Sequence, residues 1–426
     1  MFLTLEDPNA KLKGSRDPLG IQPLWSAFGR HIVSNLTMQT TSVRGFTIFL
    51  LGRYLGAQLI DSGQVPPEEA LAVFLRTEQL GAYVRHVAHD VQGDIRGIER
   101  VRTLLREKRG RVDIQADRRG YILSDQKVVG LWGLYTVAAR TSGWIPMGPV
   151  GIERIARELV EHSYRPTLEP AWPELLRLVA RGGTLNARWR EPLFEAMAAI
   201  LPESYTPEEI DFYGRFLRDA EQVGRAPTGQ QLRFRRLLES ETELDAPLGR
   251  VEMVRLVESA KLVDLALSGR LERIVKLESV LAPAGSVFDF LLTRHGRRPS
   301  SVAQELKSRW GSSIPNLQPA GFRELQSEIV SVSTALVCQE IVGVHDALAA
   351  GEYEDAIRSL LSWNALVMQG RGSGPWVGLD PAGRLDVRYR GAEWELPDAE
   401  SLSTLWRNGY YIDSLKRITK QLRVTR

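Results

Sequence analysis

Residues 41–61 read TSVRGFTIFLLGRYLGAQLID, and their spacing decides the fold class. Val43, Phe46, Phe49, Leu50 and Tyr54 recur at three- and four-residue intervals, the repeat that lays one apolar stripe along a helix. Thr40 and Thr41 supply hydroxyls for the first turn. The spacing predicts a buried helix over 42–61. A membrane span is not expected, because Gly52, Arg53, Gly56 and Gln58 interrupt a run that falls short of the roughly 20 apolar residues a bilayer requires.

Outward from this helix the same period prevails. Pro66-Pro67-Glu68-Glu69 opens the next helix, since proline lacks the donor that a first turn leaves unpaired and carboxylates suit the positive end of the helix dipole. That helix is expected to reach about Asp90. A basic helix over 94–108 ends at Gly110, after which 111–115 and 120–123 read as a small β-ribbon followed by a long helix over 125–141. Amphipathic helices fill the middle, one starting at Thr206-Pro207-Glu208-Glu209 and one running unbroken over 251–276. Helices over 322–349 and 353–369 lead into RGSGPWVGLDPAGRLDVRYRGAEWEL (371–396), where alternating apolar positions around Asp380-Pro381-Ala382-Gly383 predict a hairpin plus a third short strand. A last helix is expected over 398–422.

The architecture expected is therefore mainly α and multi-helical, with a short β-ribbon near the N-terminus and a small C-terminal β-hairpin or sheet. At about 150 residues per domain, 426 residues suggest three. Pro146, Pro149, Pro166, Pro170 and Pro173 punctuate one junction and Ala282-Pro283-Ala284-Gly285 another. The expected divisions are an N-terminal helical domain 1–150 carrying the basic helix and ribbon, a middle helical domain 151–284, and a C-terminal domain 285–426 with the hairpin and a basic terminal helix.

Composition excludes disorder: 43% of residues are hydrophobic and 25% charged. Cys338 is the only cysteine, which rules out an intramolecular disulfide and favours a reducing compartment, the cytoplasm; in SVSTALVCQEIVGV it reads as a small core residue. No Gly-x-Ser-x-Gly elbow, no phosphate loop and no strand–turn–helix context for a dinucleotide are present, which disfavours nucleophilic hydrolysis, NTP hydrolysis and nicotinamide chemistry. No cofactor is expected. One metal reading stands as an alternative: in AYVRHVAHDVQGD, His86 and His89 share a helix face, and the His89-Asp90 doublet is similar to that of metal-dependent phosphohydrolases and nucleases. His31 with Asp113 or Asp125 would have to complete the site. The competing reading is a polar helix end.

The basic clusters carry more. Arg96, Arg100, Arg102, Arg106, Lys108, Arg109, Arg111, Arg118 and Arg119 lie in a stretch of 26 residues with only five carboxylates. Four-residue spacing places Arg96 with Arg100 and Arg102 with Arg106, two rows leading into a ribbon tipped by Arg118-Arg119. Such a shape suits a phosphate backbone. In Arg294-His295-Gly296-Arg297-Arg298, Arg297 and Arg298 are further candidates, whereas Phe234 between Arg233 and Arg235 reads as core. The net charge of +3 is too small to argue for nucleic acid by itself. Arg16, Asp17 and Arg44, charged among apolar neighbours, suggest a buried network.

Three short motifs remain: Arg16-Asp17-Pro18-Leu19-Gly20, Leu36-Thr37 with Thr40-Thr41-Ser42-Val43-Arg44, and Trp406-Arg407-Asn408-Gly409-Tyr410. On these the chain resembles a bacterial family associated with genomic islands that encode helicases and phospholipase-D-like nucleases for anti-phage defence. The resemblance implies a non-enzymatic subunit of a defence assembly with a helicase or nuclease partner, and it transfers no catalytic residue. The expected function is thus nucleic-acid binding, DNA foremost, together with partner docking and no membrane association. A metal-dependent hydrolase and a structural scaffold are the alternatives.

Overall fold

The helix Val43–Asp61 forms as its spacing requires, and in the computed structural model its burial goes beyond one stripe: residues 43–57 are buried without exception. The Ser42 hydroxyl caps it, accepting from the Gly45 amide at 3.2 Å. Ala70–His89, Leu131–Thr141, Arg154–Leu159 and Trp172–Arg181 enclose it. Close approach depends on small residues; a Cβ added at Gly81 would lie 2.6 Å from the Ile48 side chain. Rings fill the remaining space, with Phe46 4.6 Å from Tyr135 and 5.5 Å from Trp144, centroid to centroid.

The structure describes residues 17–148, 150–187, 191–224, 228–312, 314, 322–389 and 394–423. Backbone contacts group the chain into two compact units. The first comprises Met1–Ile32 with Pro247–Gly409, the second Val33–Ala246 with Tyr410–Arg426. Cuts near 150 and 284 are not where these units separate. The proline-rich stretch lies wholly in the second unit, and Pro166, Pro170 and Pro173 sit in first turns, where the missing donor costs nothing. Pro149 lies outside the described residues. Ala282-Pro283-Ala284-Gly285 is interior to the 27-residue helix Leu265–Leu291.

The fold is mainly α and, among the described residues, carries two small antiparallel two-stranded sheets. In the second unit, the strand Arg111–Ile114 pairs not with 120–123 but with Gly183–Asn186, Arg111 opposite Asn186. The helix expected over 125–141 divides at Gly130 into Gln126–Val129 and Leu131–Thr141. The physical reason is Glu78, whose buried carboxylate accepts from the Leu131 amide at 2.7 Å and would meet a Gly130 Cβ at 2.7–2.8 Å. Helix Tyr410–Gln421 closes this unit, the Gln421 amide donating to Thr41 O at 2.7 Å and accepting from Val43 N at 2.8 Å.

In the first unit, 251–276 is broken at Asp264, whose carboxylate caps Leu265–Leu291 through the Leu267 amide at 3.0 Å. Likewise 322–349 divides into Gln326–Val332 and Ala335–Ala350, with Thr334 capping the latter. The hairpin Val377–Leu379 with Leu385–Val387 has the expected turn, in which the Asp380 carboxylate accepts from the Ala382 amide at 2.9 Å and the Arg384 amide at 2.8 Å. No third strand forms among the described residues of 371–396; residues 390–393 lie outside them. The terminal helix is two helices, Ala399–Thr404 and Tyr410–Gln421, separated by an extended strap over 405–409. Among the described residues no helix is long and apolar enough to cross a membrane.

Candidate nucleic-acid interface

The basic helix is Ile98–Glu107, seated by buried Val101 and Leu104. At about 100° per residue, Arg102 and Arg106 stand about 40° apart on its outer side, while Arg100 lies about 160° from Arg102, with Glu99 between them. One of the two expected rows therefore forms. The other does not, because Arg96 precedes the helix and turns inward to the Gln39 carbonyl at 3.3 Å and the Gln39 side chain. Arg102 is held by Glu99 at 2.6 Å and by Gln92.

Arg118 and Arg119 tip no ribbon. They sit in a turn closed by the Gly120 and Tyr121 amides on Asp117 O, both at 3.1 Å. The Arg119 guanidinium lies 2.7 Å from the Asp117 carboxylate, which its hydrogen bonds hold below the ordinary carboxylate range. Arg96, Arg102 and Arg119 are thus occupied within the chain. Arg100, Arg106, Lys108, Arg109, Arg111 and Arg118 are exposed, and among the described residues none of the six makes an ion pair. They run from the helix through the 108–110 corner and strand into the turn.

The first-unit candidates are more constrained. Arg294 and Arg297 share Glu305, at 3.0 and 3.4 Å, and Arg294 also covers the Phe290 ring. The Gly296 amide donates to Leu385 O and the Leu385 amide to Arg297 O, both at 2.8 Å, which ties this turn to the hairpin edge. Arg298 is exposed at the start of Pro299–Trp310. In the second unit Phe234 is fully buried, as a core residue, and Arg235 pairs with Asp219 and Glu239.

His86 and His89 end the helix Ala70–His89, each with a ring nitrogen against a backbone carbonyl: His86 Nδ1 at 3.2 Å from Val91 O, His89 Nε2 at 2.8 Å from Ala198 O. Asp90 is the left-handed helix cap, φ 49°, and its carboxylate accepts from Gln92 Nε2. Asp125 caps a helix through the Val128 amide and Asp113 accepts from the Thr184 hydroxyl. Among the described residues no three His, Cys, Asp or Glu side chains gather in a way that could hold a metal ion.

The charged groups that the sequence hides are interior. Arg44 is satisfied within its own unit. Its guanidinium pairs with Glu209 and donates to the Pro202 and Ser204 carbonyls at 2.6 and 2.5 Å, above the Tyr205 ring. Glu209 also accepts from the Thr206 amide and from Tyr164, whose hydroxyl lies 3.1 Å from that of Tyr213. Burial pushes both phenols well up. Asp17 accepts from the Ile21 and Gln22 amides at 2.8 and 3.0 Å and pairs with Arg371; Arg16 lies outside the described residues. Arg85 is buried against Glu203 and Asp94 O.

The Trp406-Arg407-Asn408 motif is likewise directed inward. Buried Glu278 accepts from Trp25 Nε1 at 2.9 Å, from the Arg407 and Asn408 amides at 2.8 and 2.9 Å, and from Asn408 Nδ2 at 3.0 Å. Burial raises its pKa against these donors. The Arg407 guanidinium continues to Ser286 and Asp289. The capping sequence Thr206-Pro207-Glu208-Glu209 was the one readable signal for any of these interior acids. Comparison with known proteins adds no assignment: no family model, no curated protein and no solved structure matches the chain.

Proposed function

We propose that the chain is a non-enzymatic nucleic-acid-binding subunit, DNA being the expected ligand, that docks a helicase or nuclease partner in a bacterial anti-phage assembly. One observation carries the binding part: six exposed cations, Arg100, Arg106, Lys108, Arg109, Arg111 and Arg118, without internal counter-charges among the described residues. Glu99 and Glu107 interleave with them on the helix, which points to discrete phosphate contacts and away from a uniform field. The partner part is supported by the motif resemblance alone. Among the described residues the metal-dependent hydrolase reading has no gathered ligand set to rest on.

If four of the six cations meet phosphates, the log–log salt slope is about −3.6 and affinity falls roughly a hundredfold between 50 and 200 mM salt. Mobility shifts of a DNA duplex at those two concentrations test this, with Arg100→Glu/Arg106→Glu as the comparison. Loss of the shift in the double variant supports the reading. Equal binding by variant and parent, or insensitivity to salt, refutes it and leaves a scaffold whose basic side meets acidic protein.

A further inference from the structure

Between the helix Ile98–Glu107 and the strand Arg111–Ile114 the chain turns through Lys108-Arg109-Gly110. The Gly110 amide donates to Leu105 O at 2.8 Å and the Arg109 amide to Arg106 O at 3.3 Å, the paired bonds of a Schellman cap. This cap places one residue in the left-handed region, and that residue is Arg109, φ 51°, one position before Gly110, φ 83°. Glycine adopts such a backbone without the clash between Cβ and carbonyl that an L side chain suffers. The cap would be more stable with glycine first.

Among the described residues the exposed Arg109 side chain makes no ion pair, so no counter-charge offsets its strained backbone beyond the weak attraction of the helix C-terminal dipole. At the same time the two cap bonds fix where the side chain leaves the chain. Lys108 and Arg111 flank it, giving three exposed cations in four residues. A guanidinium on a fixed backbone loses less freedom on meeting a phosphate than one on a mobile loop.

We propose that Arg109 is the anchoring contact of the basic surface and that its ligand is the phosphodiester backbone of a nucleic acid, held by charge without base reading. This rests on the nucleic-acid reading above. The position keeps arginine against its backbone preference because the contact lies outside the chain.

The test uses the full chain as Arg109→Gly, Arg109→Asn, Arg109→Lys and, separately, Arg106→Glu, with thermal midpoints and duplex affinities over a salt series. Arg109→Gly is expected to raise the midpoint by about 2–4 °C. It is expected also to weaken binding about fivefold to tenfold at 0.1 M salt and to flatten the log–log slope by about 0.9, the share of one phosphate. Arg109→Asn, which tolerates the left-handed backbone, matches that loss, and Arg109→Lys restores the slope without the gain in midpoint. An unchanged or lower midpoint for Arg109→Gly overturns the strain argument. Unchanged affinity for Arg109→Gly beside weakened binding by Arg106→Glu overturns the anchor and spares the surface. Unchanged affinity for both variants removes the surface reading, and the anchor with it.

Discussion

Buried Glu209 serves two purposes at once, closing the cap at the exposed Thr206 and neutralising the buried Arg44. Glu209→Gln keeps acceptors for the cap but leaves Arg44 buried without a counter-ion. We expect a loss of about 3–5 kcal/mol in chemical denaturation, and a cost for Arg44→Met/Glu209→Gln smaller than the sum of the single variants. Glu78 differs in making no ion pair among the described residues, half-buried Arg96 acting on it only through weaker coulombic attraction. Desolvation lifts its pKa from 4.5 to about 7 against the hydrogen bonds from Leu131 and Gln126. An acid whose pKa is higher folded than unfolded stabilises the fold below the unfolded value, and that contribution vanishes as pH rises through the folded value. Stability from this group is therefore expected to decline by about 3 kcal/mol between pH 4.5 and 7. Glu78→Gln should flatten that decline, seen as a smaller difference between urea midpoints at pH 5 and pH 8. Buried Glu278 acts with the same sign, so the difference between parent and variant isolates Glu78.

The elements show why local reading succeeds and where it stops. Val43–Asp61, Tyr353–Gly370 and the Asp380 turn were legible because their signals, apolar period and turn residues, are contained in the elements themselves. The partner of Arg111–Ile114 was not, because a four-residue strand carries almost no period and its mate lies some seventy residues on, at Gly183–Asn186. Helix breaks at Gly130 and at the 405–409 strap leave no local signal for a related reason: at each a buried carboxylate distant in sequence, Glu78 or Glu278, takes backbone amides. At the basic surface, residue types and neighbourhood were readable, but the withdrawal of Arg96, Arg102 and Arg119 depends on Gln39, Glu99 and Asp117 being brought alongside. The strap supplies an element-scale prediction. Asn408→Ala removes a neutral donor from a buried charge, and a loss of about 1.5–3 kcal/mol in denaturation midpoint analysis is expected, partly shared with Trp25→Phe because both side chains serve Glu278.

At the scale of the molecule, each unit is assembled from segments far apart in sequence. Tyr410–Gln421 completes the second unit with Leu415 and Ile418 fully buried, and it packs on the helices Gln230–Glu241 and 214–218. Removing residues 410–426 should lower the urea midpoint of that unit and expose apolar surface to a hydrophobic dye, while leaving the Asp264 and Thr334 caps of the other unit intact. The same interleaving bears on synthesis. Trp25 finds its partner Glu278 only 253 residues later, which at about 5–20 residues per second is a wait of roughly 10–50 s on the ribosome. Throughout that interval Leu24, Trp25 and Phe28 have no core to enter, so the nascent chain presents a sticky amphipathic helix that chaperones must shield, and expression yield should track chaperone supply more closely than final stability.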